Sequence, residues 1–456
     1  MTDPRQLPGC YWQANRPARE LAPPLTGEIK VDVAVIGAGY TGLSTAFHLK
    51  AADPGLSVAI LESQSAGFGA SGRNAGFVVT LFGLSIILMR GMHGDERVRA
   101  AHAAMVQAVA GLEAMITENG IDCDYRRNGF LKVATSEAYA TRIRKEVDFF
   151  QSLGIGGIEW IDGEATRARV RSDTYLGALW EPGCALLHPV KWVDGLTRLA
   201  RAKGAQLFEG TRVERVRREG GRYRLQTPTG TCVADKVVFA TNGYTHLIPG
   251  MRWKQIPAFC YSVATAPLTA DQRAAIGWDS EEGVEDARNY MHFYRFTPDG
   301  RILVGGGTGL VPFAGNMDHD SVPSAWEHAE RFLGDTFPAL RGIGIDYRWG
   351  GAFSVTADST PQVGTIDGGG IAYSIGCNGH GVAMTQMNGR ILSDLVLSRK
   401  TDLTDLWFVN RRSLPIPPEP LRSVAAKFVT TAMVVDDWWC DRKQPRRGRQ
   451  RAAAGA

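Results

Sequence analysis

The sequence has few cysteines, and they form no recognisable pattern. Seven cysteines occur in 456 residues, without a C-x-x-C pair or a set of cysteines and histidines at metal-ligand spacing. Zinc sites, redox-active pairs and disulfide frameworks all depend on such spacings. The sequence therefore predicts free thiols in a reducing compartment and no metal site.

Long apolar runs and a leader pattern are also lacking. The uncharged, largely apolar stretch 74–89 has only 16 residues, and Gly83 interrupts it. A helix that crosses a bilayer needs about 20 apolar residues. The first residues, MTDPRQLPGCYWQ, lack the basic-then-apolar order of a signal peptide. We therefore expect a cytoplasmic protein without an integral membrane span.

Excess charge is lacking over most of the chain. The net charge is +4, but residues 442–456 hold six basic residues and no acidic one. Without these six, 45 of the 51 basic residues remain against 47 acidic residues. A nearly neutral body argues against a nucleic-acid-binding surface. The length exceeds what one hydrophobic core supports, so two or more domains are expected.

The most informative feature present is a G-x-G-x-x-G motif at 37–42. It follows the short apolar run 31–36 and precedes a helix-like stretch, and Glu62 lies 20 residues after the last glycine. Strand, glycines, helix and acid in this order are typical of a dinucleotide site. The glycines permit a tight turn and close packing, and the helix N-terminus binds the pyrophosphate. At this point either NAD or FAD fits the motif.

Nucleotide-type segments recur at the start, middle and end of the chain. We therefore predict an α/β fold with a discontinuous Rossmann-like nucleotide-binding domain and an inserted α+β substrate domain on a mixed or antiparallel sheet. The predicted nucleotide-binding pieces are 27–90, 186–250 and 345–400. The predicted substrate domain comprises 91–185 and 251–344. Residues 1–26 are expected to wrap the surface, and 401–456 form a C-terminal extension.

Several segments carry a family resemblance that spans about residues 11–400. They include GAGYTGLSTAFHL, LES, GFGASGRNAGF, ATNGY, FYRFTPDGRILVGGG and YSIGCNGHGVAMTQMNGRILSDL. With these segments the chain resembles the D-amino-acid oxidase-like superfamily of flavoproteins. Within it, the chain is most similar to the gamma-glutamylputrescine oxidase-type branch. The resemblance implies that the dinucleotide is FAD.

The resemblance also implies which residues contact FAD. The turn 376–382 would present backbone N–H groups to the flavin pyrimidine, whose reduced form carries negative charge. Val213 matches the position whose backbone meets adenine, and Glu62 would accept from the ribose. The implied cofactor contacts are Gly37, Ala38, Gly39, Tyr40, Thr41, Gly42, Glu62, Ser63, Gly69, Ala70, Ser71, Arg73, Asn74, Ala75, Gly76, Val213, Thr241, Asn242, Gly243, Gly351, Gly376, Asn378, Gly379, His380, Gly381 and Val382.

The chain departs from some branches of the superfamily. Branches with covalently bound flavin use a Cys or His, and none occurs in 68–76 or around 352–354, which predicts non-covalent FAD. Oxidases of free D-amino acids carry an arginine near 352–353 to hold the α-carboxylate, and this chain has none there. Arg295, Arg301 or Arg348 could replace it only if their geometry allows. Ala383 stands where the sarcosine oxidase branch has lysine. These departures favour amines or N-substituted substrates.

The implied reaction is oxidation of a C–N bond in an amine or amino-acid derivative. Hydride moves to flavin N5, the imine is hydrolysed, and dioxygen is the expected acceptor, giving hydrogen peroxide. Two alternatives stay open: a dehydrogenase that passes electrons to a quinone or carrier, and a flavin-binding protein with a decayed active site. The candidate catalytic residues are His380, Tyr294, Arg295, Trp349 and Tyr261.

Each candidate has a structural alternative. His380 could line the flavin turn or only cap the helix that follows it. Tyr294 and Arg295 are neighbours on a predicted strand, so alternation lets only one of them point inward. Tyr261, like Tyr244, could line the substrate cavity or simply belong to a half-buried sheet. Trp349 could wall the pocket or fill the core.

The C-terminal extension contains the aromatic cluster 434–440 directly before the basic run. Such a segment could anchor to a membrane surface. Because one short aromatic cluster is a weak anchor signal, we expect instead a helix that packs on the body and precedes a solvated, disordered end. The sequence leaves oligomeric state open.

Overall fold

The computed structural model describes residues 9–83, 85–247, 251, 253–412 and 414–442. Its helices are α1 Tyr11–Ala14, α2 Tyr40–Ala52, α3 Ile86–His93, α4 Asp95–Glu118, α5 Glu137–Ser152, α6 Gly163–Arg169, α7 Pro189–Ala202, α8 Ala270–Ile276, α9 Pro323–Thr336, α10 Gly381–Val396 and α11 Leu421–Arg442.

The strands fall into two large sheets and one small hairpin-like pair. In chain order they are β1 Gly27–Ile36, β2 Val58–Leu61, β3 Phe77–Val78, β4 Phe130–Ala134, β5 Glu159–Asp162, β6 Gly177–Glu181, β7 Ala185–Leu186, β8 Gln206–Phe208, β9 Arg215–Glu219, β10 Arg222–Gln226, β11 Gly230–Phe239, β12 Ile256–Thr265, β13 Gly283–Asp286, β14 His292–Phe296, β15 Ile302–Gly306, β16 Ile345–Val355, β17 Gln362–Ile366 and β18 Ile371–Ile375.

The first sheet is built around β1. Its strand order is β17-β18-β11-β1-β2-β8, with β10 and β9 added antiparallel beyond β11. The pairs that join β1 to β11 and β2, β2 to β8, and β11 to β18 are parallel. Residues 33–36 of β1 are all buried, as expected for a parallel strand covered on both faces. Helices α2, α7 and α10 cover one face of this sheet.

The second sheet forms the inserted domain. Its order is β16-β12-β15-β14-β13-β4-β6-β5, and only the pairing of β13 with β4 is parallel. Helix α9 packs against β12 and β15 on the outer face. The inner face turns toward the first sheet and its glycine-rich loops. Together the two sheets confirm the predicted fold class.

Two predicted domain boundaries differ from the structure. The strand β16 pairs with β12 along its length, so 345–355 belongs to the inserted sheet rather than to the nucleotide-binding domain. Helix α4 packs against α10 and contributes to the core of the first domain, although its sequence lies in the predicted substrate domain. An apolar strand or helix face fits either core, so sequence pattern alone could not assign these elements.

The N-terminal segment does more than wrap the surface. Cys10, Tyr11 and Trp12 are buried and pack against Trp349 and Leu303 of the inserted domain. The following residues are tied to the first domain, where Arg19 makes a two-pronged ion pair with Glu209. The segment therefore links both domains.

Two further helices matter below. Helix α4 is long and apolar enough to cross a membrane by composition, but its apolar face is the one that packs in the first core. Helix α11 lies in the C-terminal extension and contacts α5. The remaining tail, 443–456, lies outside the described residues.

Candidate active site

The glycine motif forms a tight turn between β1 and α2. Gly37 adopts a φ of 103°, and its amide donates to the carbonyl of Leu61 at 2.9 Å. A Cβ on Gly42 would lie 1.9 Å from the carbonyl oxygen of Gly37, so only glycine permits this contact of helix and strand. Gly39, the residue that precedes α2, offers no side-chain cap. Apart from the amide of Tyr40, which donates to Ser71 Oγ, the first amides of α2 are therefore left to an anion, as a pyrophosphate site requires.

The adenosine-side positions also come together. Glu62 is buried at the end of β2, and its carboxylate accepts from the amides of Ala38 and Gln64 at 2.8 and 3.0 Å. Burial raises the pKa of this carboxyl, and these hydrogen bonds oppose the effect. The amide of Thr211 donates to the Glu62 carbonyl at 2.7 Å, which brings Val213 close to the same strand end.

The glycine-rich loop meets the start of α2. Ser71 Oγ accepts from the amide of Tyr40 at 3.0 Å. The side-chain nitrogen of Asn74 donates to the carbonyls of Ala70 and Ser71, and its side-chain oxygen accepts from the amide of Gly76. The Asn74 side chain therefore holds the loop in shape and also ties it to the Tyr40 hydroxyl at 3.1 Å. That Asn74 contacts the cofactor stays a prediction.

Arg73 joins the loop to the inserted domain. Its guanidinium donates to the carbonyl of Gly350 at 3.1 Å and pairs with Asp320 at 2.8 Å. A Cβ on Gly351 would lie 3.1 Å from the Arg73 side chain. The neighbouring Trp349 donates from its indole nitrogen to the Arg73 carbonyl at 2.9 Å. Trp349 thus secures the loop from within the core and does not wall a pocket.

The turn before α10 is fixed by hydrogen bonds on one side and is open on the other. The amide of Gly376 donates to Ser354 Oγ at 2.9 Å, and Asn378 donates from its side chain to the Ser359 carbonyl at 2.8 Å. A Cβ on Gly379 would meet nothing within 4 Å, so this side of the turn faces open space. The free amides at the start of α10, including Gly381 and Val382, are available to a bound group.

The strand end at 241–243 completes this region. A Cβ on Gly37 would lie 2.8 Å from the Ala240 carbonyl, which places Thr241 beside the glycine motif. Asn242 has a φ of 42°, and Gly243 packs against Ala352 of β16. These predicted positions therefore lie where the two domains meet.

His380 makes a contact that the sequence did not reveal. It precedes α10, yet its side chain forms no capping hydrogen bond. Instead, Nε2 lies 3.5 Å from Oε1 of Glu285 on β13, and the two side chains are only 7% and 6% exposed. The pair crosses from the first domain to the second. Glu285 lies in the short segment GVEDA. An acidic residue on a buried strand was the only sequence feature that could have indicated a functional role for it.

Two of the predicted catalytic tyrosines lie on the other face of the inserted sheet. Tyr294 is fully buried beside Trp278 and Phe337, and its hydroxyl bonds to that of Tyr175 at 2.5 Å. Tyr261 packs over Gly350 and donates to the His319 carbonyl at 2.9 Å. Both predictions of a catalytic role are wrong, because the strand register turns these side chains toward α9 and the domain core.

Arg295 points inward, but it is engaged by the backbone. Its guanidinium donates to the carbonyls of Leu187 and Ala75 at 2.8 and 3.1 Å and lies over Trp12. Burial lowers its pKa to about 10. The arginine stabilises the junction of loop, N-terminal segment and inserted sheet, so the structure gives it a structural role in place of the predicted catalytic one.

None of the three candidate arginines is available to hold a substrate carboxylate. Arg348 pairs with Glu330 at 2.9 Å. Arg301 pairs with Asp299 at 2.7 Å and with Asp346. Arg295 is held by carbonyls as described. Each guanidinium would have to exchange an existing partner for the substrate.

The residues present fit an extended dinucleotide. Helices α2 and α10 follow β1 and β18, whose carboxyl ends lie at the same edge of the first sheet because both strands run parallel to β11. The glycine-rich loop contacts the start of α2. Two buried polar atoms at predicted cofactor positions, Arg73 Nη2 and Asn378 Oδ1, have no partner within the described part of the chain. Such atoms are costly unless a ligand satisfies them. Fold and site together define a dinucleotide-dependent oxidoreductase whose second sheet contacts the loops of the dinucleotide site.

Comparison with known proteins identifies the family. The model of the DAO family, FAD dependent oxidoreductase, matches residues 32–395, and the chain belongs to this family. The predicted resemblance, the enzyme class and FAD as the cofactor are thereby confirmed.

Individual relatives agree with this assignment. The chain is 33% identical to gamma-glutamylputrescine oxidoreductase of Escherichia coli K12, over 82% of this chain and 85% of that protein. It is 30% identical to the probable oxidoreductase OrdL of Rhizobium meliloti, over 91% and 93% of the two chains. The crystal structure of glycine oxidase from Geobacillus kaustophilus superposes with a TM-score of 0.71 at 22% identity, covering 84% of this chain and all of the other.

Proposed function

We propose that the protein oxidises the C–N bond of an amine whose recognition does not depend on an arginine–carboxylate clamp. Gamma-glutamylputrescine oxidoreductase and glycine oxidase are among its relatives, so amine and amino-acid substrates are both represented around it. The observation that carries the proposal is the buried pair of His380 and Glu285 between the domains, together with the engagement of the three candidate arginines elsewhere.

The pair of His380 and Glu285 can attract a substrate ammonium group and accept its proton. A carboxylate attracts an ammonium group, and only the neutral amine can release hydride from its neighbouring carbon. Nε2 of His380 lies next to the Glu285 carboxylate, and the other ring nitrogen, Nδ1, is buried without a partner in the described structure. We assign it the role of accepting the proton from the substrate ammonium. Bound FAD supplies the hydride acceptor.

The proposal extends to the cofactor linkage and the electron acceptor. FAD is held without a covalent bond, since the glycine-rich loop 68–76 has neither histidine nor cysteine. Dioxygen reoxidises it, giving hydrogen peroxide. Precipitation with acid should release all of the flavin into the supernatant. Flavin that remains on the precipitated protein would contradict the non-covalent linkage.

The test is anaerobic bleaching of the purified yellow protein. The panel comprises γ-glutamylated diamines, free polyamines, N-methyl amino acids, glycine and D-amino acids. We expect bleaching by one of the amines, and peroxide at one equivalent per turnover once air is admitted.

The other two readings give different results in the same experiment. Bleaching without peroxide, and with rapid turnover on a quinone, would replace the oxidase by a dehydrogenase. Flavin that stays oxidised with every member of the panel would support a decayed active site. Bleaching only by free amino acids would contradict the substrate class.

A further inference from the structure

Helix α11 is attached to the protein through its last two turns, by three acidic residues and the buried Cys440. Asp436 pairs with Arg142 at 2.8 Å, and Asp441 pairs with Arg288 at 2.9 Å. Between them, the Asp437 carboxylate accepts from two consecutive backbone amides, those of Asn289 and Tyr290, at 2.8 and 3.0 Å. A surface helix normally buries its apolar stripe and exposes its charges. This helix does the reverse.

The opposite face of α11 is an apolar stripe. Leu421, Val424, Phe428, Val435 and Trp438 are spaced by three, four, seven and three residues, which places them on one side of a helix. They are 61, 65, 76, 56 and 52% exposed. We call these five residues the outer stripe. The stripe runs along a helix of 22 residues, which is about 33 Å long. A contiguous exposed apolar surface of this extent marks an interaction site.

The surface continues beyond the start of the helix. The amide of Ala314 donates to Glu419 at 3.0 Å, which brings the loop with the 64%-exposed Phe313 to the N-terminal end of α11. Leu414, seven residues before the helix, is also exposed. The apolar area therefore has contributions from two separate parts of the chain.

Positive charge follows the outer stripe directly. Arg442 ends the helix and places its guanidinium 3.7 Å from the centre of the Trp438 ring. Lys443, Arg446, Arg447, Arg449 and Arg451 follow in sequence, and no acidic residue occurs from 442 to the end. The body of the protein is nearly neutral, so this concentration of charge is confined to the segment that carries the stripe.

We propose that α11 and the basic residues after it bind the surface of an anionic lipid membrane. An interfacial helix combines an exposed apolar face, tryptophan at its boundary and basic residues that pair with lipid headgroups, and this segment has all three. A second copy of the chain would match the apolar stripe but would bring the same positive charge. The contact is peripheral and leaves the FAD-binding fold, residues 32–395, outside the bilayer.

The membrane contact lies beside the candidate active site. Arg288, Asn289 and Tyr290, which hold α11, follow Glu285 by three to five residues. The bound helix therefore rests on the segment that links β13 to β14.

The test is flotation of the full-length flavin-loaded protein with vesicles. We expect it to float with vesicles of phosphatidylcholine containing about 30% phosphatidylglycerol and to stay in solution with pure phosphatidylcholine. Because headgroup pairing is screened by salt, about 0.5 M NaCl should release most of the bound protein. Equal binding to both vesicle types, or binding to neither, overturns the proposal.

Two variants test whether the outer stripe and the basic residues after it are each needed for membrane binding. Val424→Ser with Phe428→Ser, and separately a chain ending at 441, should each reduce the bound fraction at least tenfold while flavin content stays unchanged. The control is Val106→Ser, which removes an exposed valine from α4. If the stripe variants float like the unmodified protein, the stripe is not the contact. If light scattering shows a dimer that these variants dissociate, and vesicles are not bound, the partner is a second copy and the proposal fails.

Discussion

The contact between His380 and Glu285 makes the sharpest prediction about catalysis. Glu285→Gln preserves the shape of the side chain and removes the carboxylate charge that lies 3.5 Å from His380 Nε2. Base catalysis contributes about 10²–10⁴ in general. We expect the rate constant of flavin reduction to fall about 10²–10³-fold.

The assay is anaerobic stopped-flow reduction of the bound flavin at saturating substrate. Glu146→Gln is the matched control, because Glu146 is equally buried in the same domain and pairs with Lys132 at 2.7 Å, away from the candidate site. It should lower the melting temperature without slowing flavin reduction. Glu285→Asp should recover part of the lost rate, since it restores the charge at a longer distance.

Two results would refute this reasoning. Wild-type reduction rates in Glu285→Gln would show that the carboxylate has no part in proton transfer. Equal rate losses in Glu285→Gln and Glu146→Gln would show that the effect is a general loosening of the domain.

Three further predictions concern the cofactor cradle and pH. Gly42→Ala should lose flavin and about 1–3 kcal/mol of stability, because its Cβ would lie 1.9 Å from a backbone oxygen. Gly91→Ala is the control and should keep its flavin, because a Cβ there meets nothing within 4 Å. The ratio of absorbance at 280 and 450 nm measures the flavin content, and calorimetry measures the stability. Glu62→Gln should weaken FAD affinity, measured by titration of the apoprotein, and unchanged affinity would remove Glu62 from the ribose site. Burial lowers the pKa of His188 from 6.5 to about 4, so its neutral form stabilises the fold above pH 6.5 and this contribution is lost as pH falls through 4. Melting temperatures from pH 7.5 to 4 should fall less steeply in His188→Asn.

Much of the cofactor site was predictable because its elements are local in sequence. A turn that requires glycine, the helix that follows it and the acid that ends the next strand lie within 37–62 and obey short-range rules. The same holds for the turn before α10. The shape of the glycine-rich loop was not predictable, because the side chain of Asn74 turned to the loop's own backbone.

The substrate side was predicted poorly because it depends on register. Neighbouring residues on a strand point to opposite faces, and the sequence does not say which face meets the cofactor. Both β13 and β14 are buried almost throughout, so the sequence does not show which face of the sheet Tyr294 or Glu285 occupies. Only the pairing of β13 with β4 and β14 turned Glu285 toward His380 and Tyr294 toward α9.

The sequence by itself determined a dinucleotide site and the concentration of positive charge at the C-terminal end, since each depends on residues close together in the chain. The choice of FAD and the fold class came from several such local segments, distributed along the chain. The tertiary structure alone decided which residues face the cofactor and how α11 is oriented. Its outer stripe is exposed because Arg142 and Arg288, about 290 and 150 residues away, bind the acidic face. Contacts between distant segments carry no signature in either segment, and they became visible only once the chain had folded.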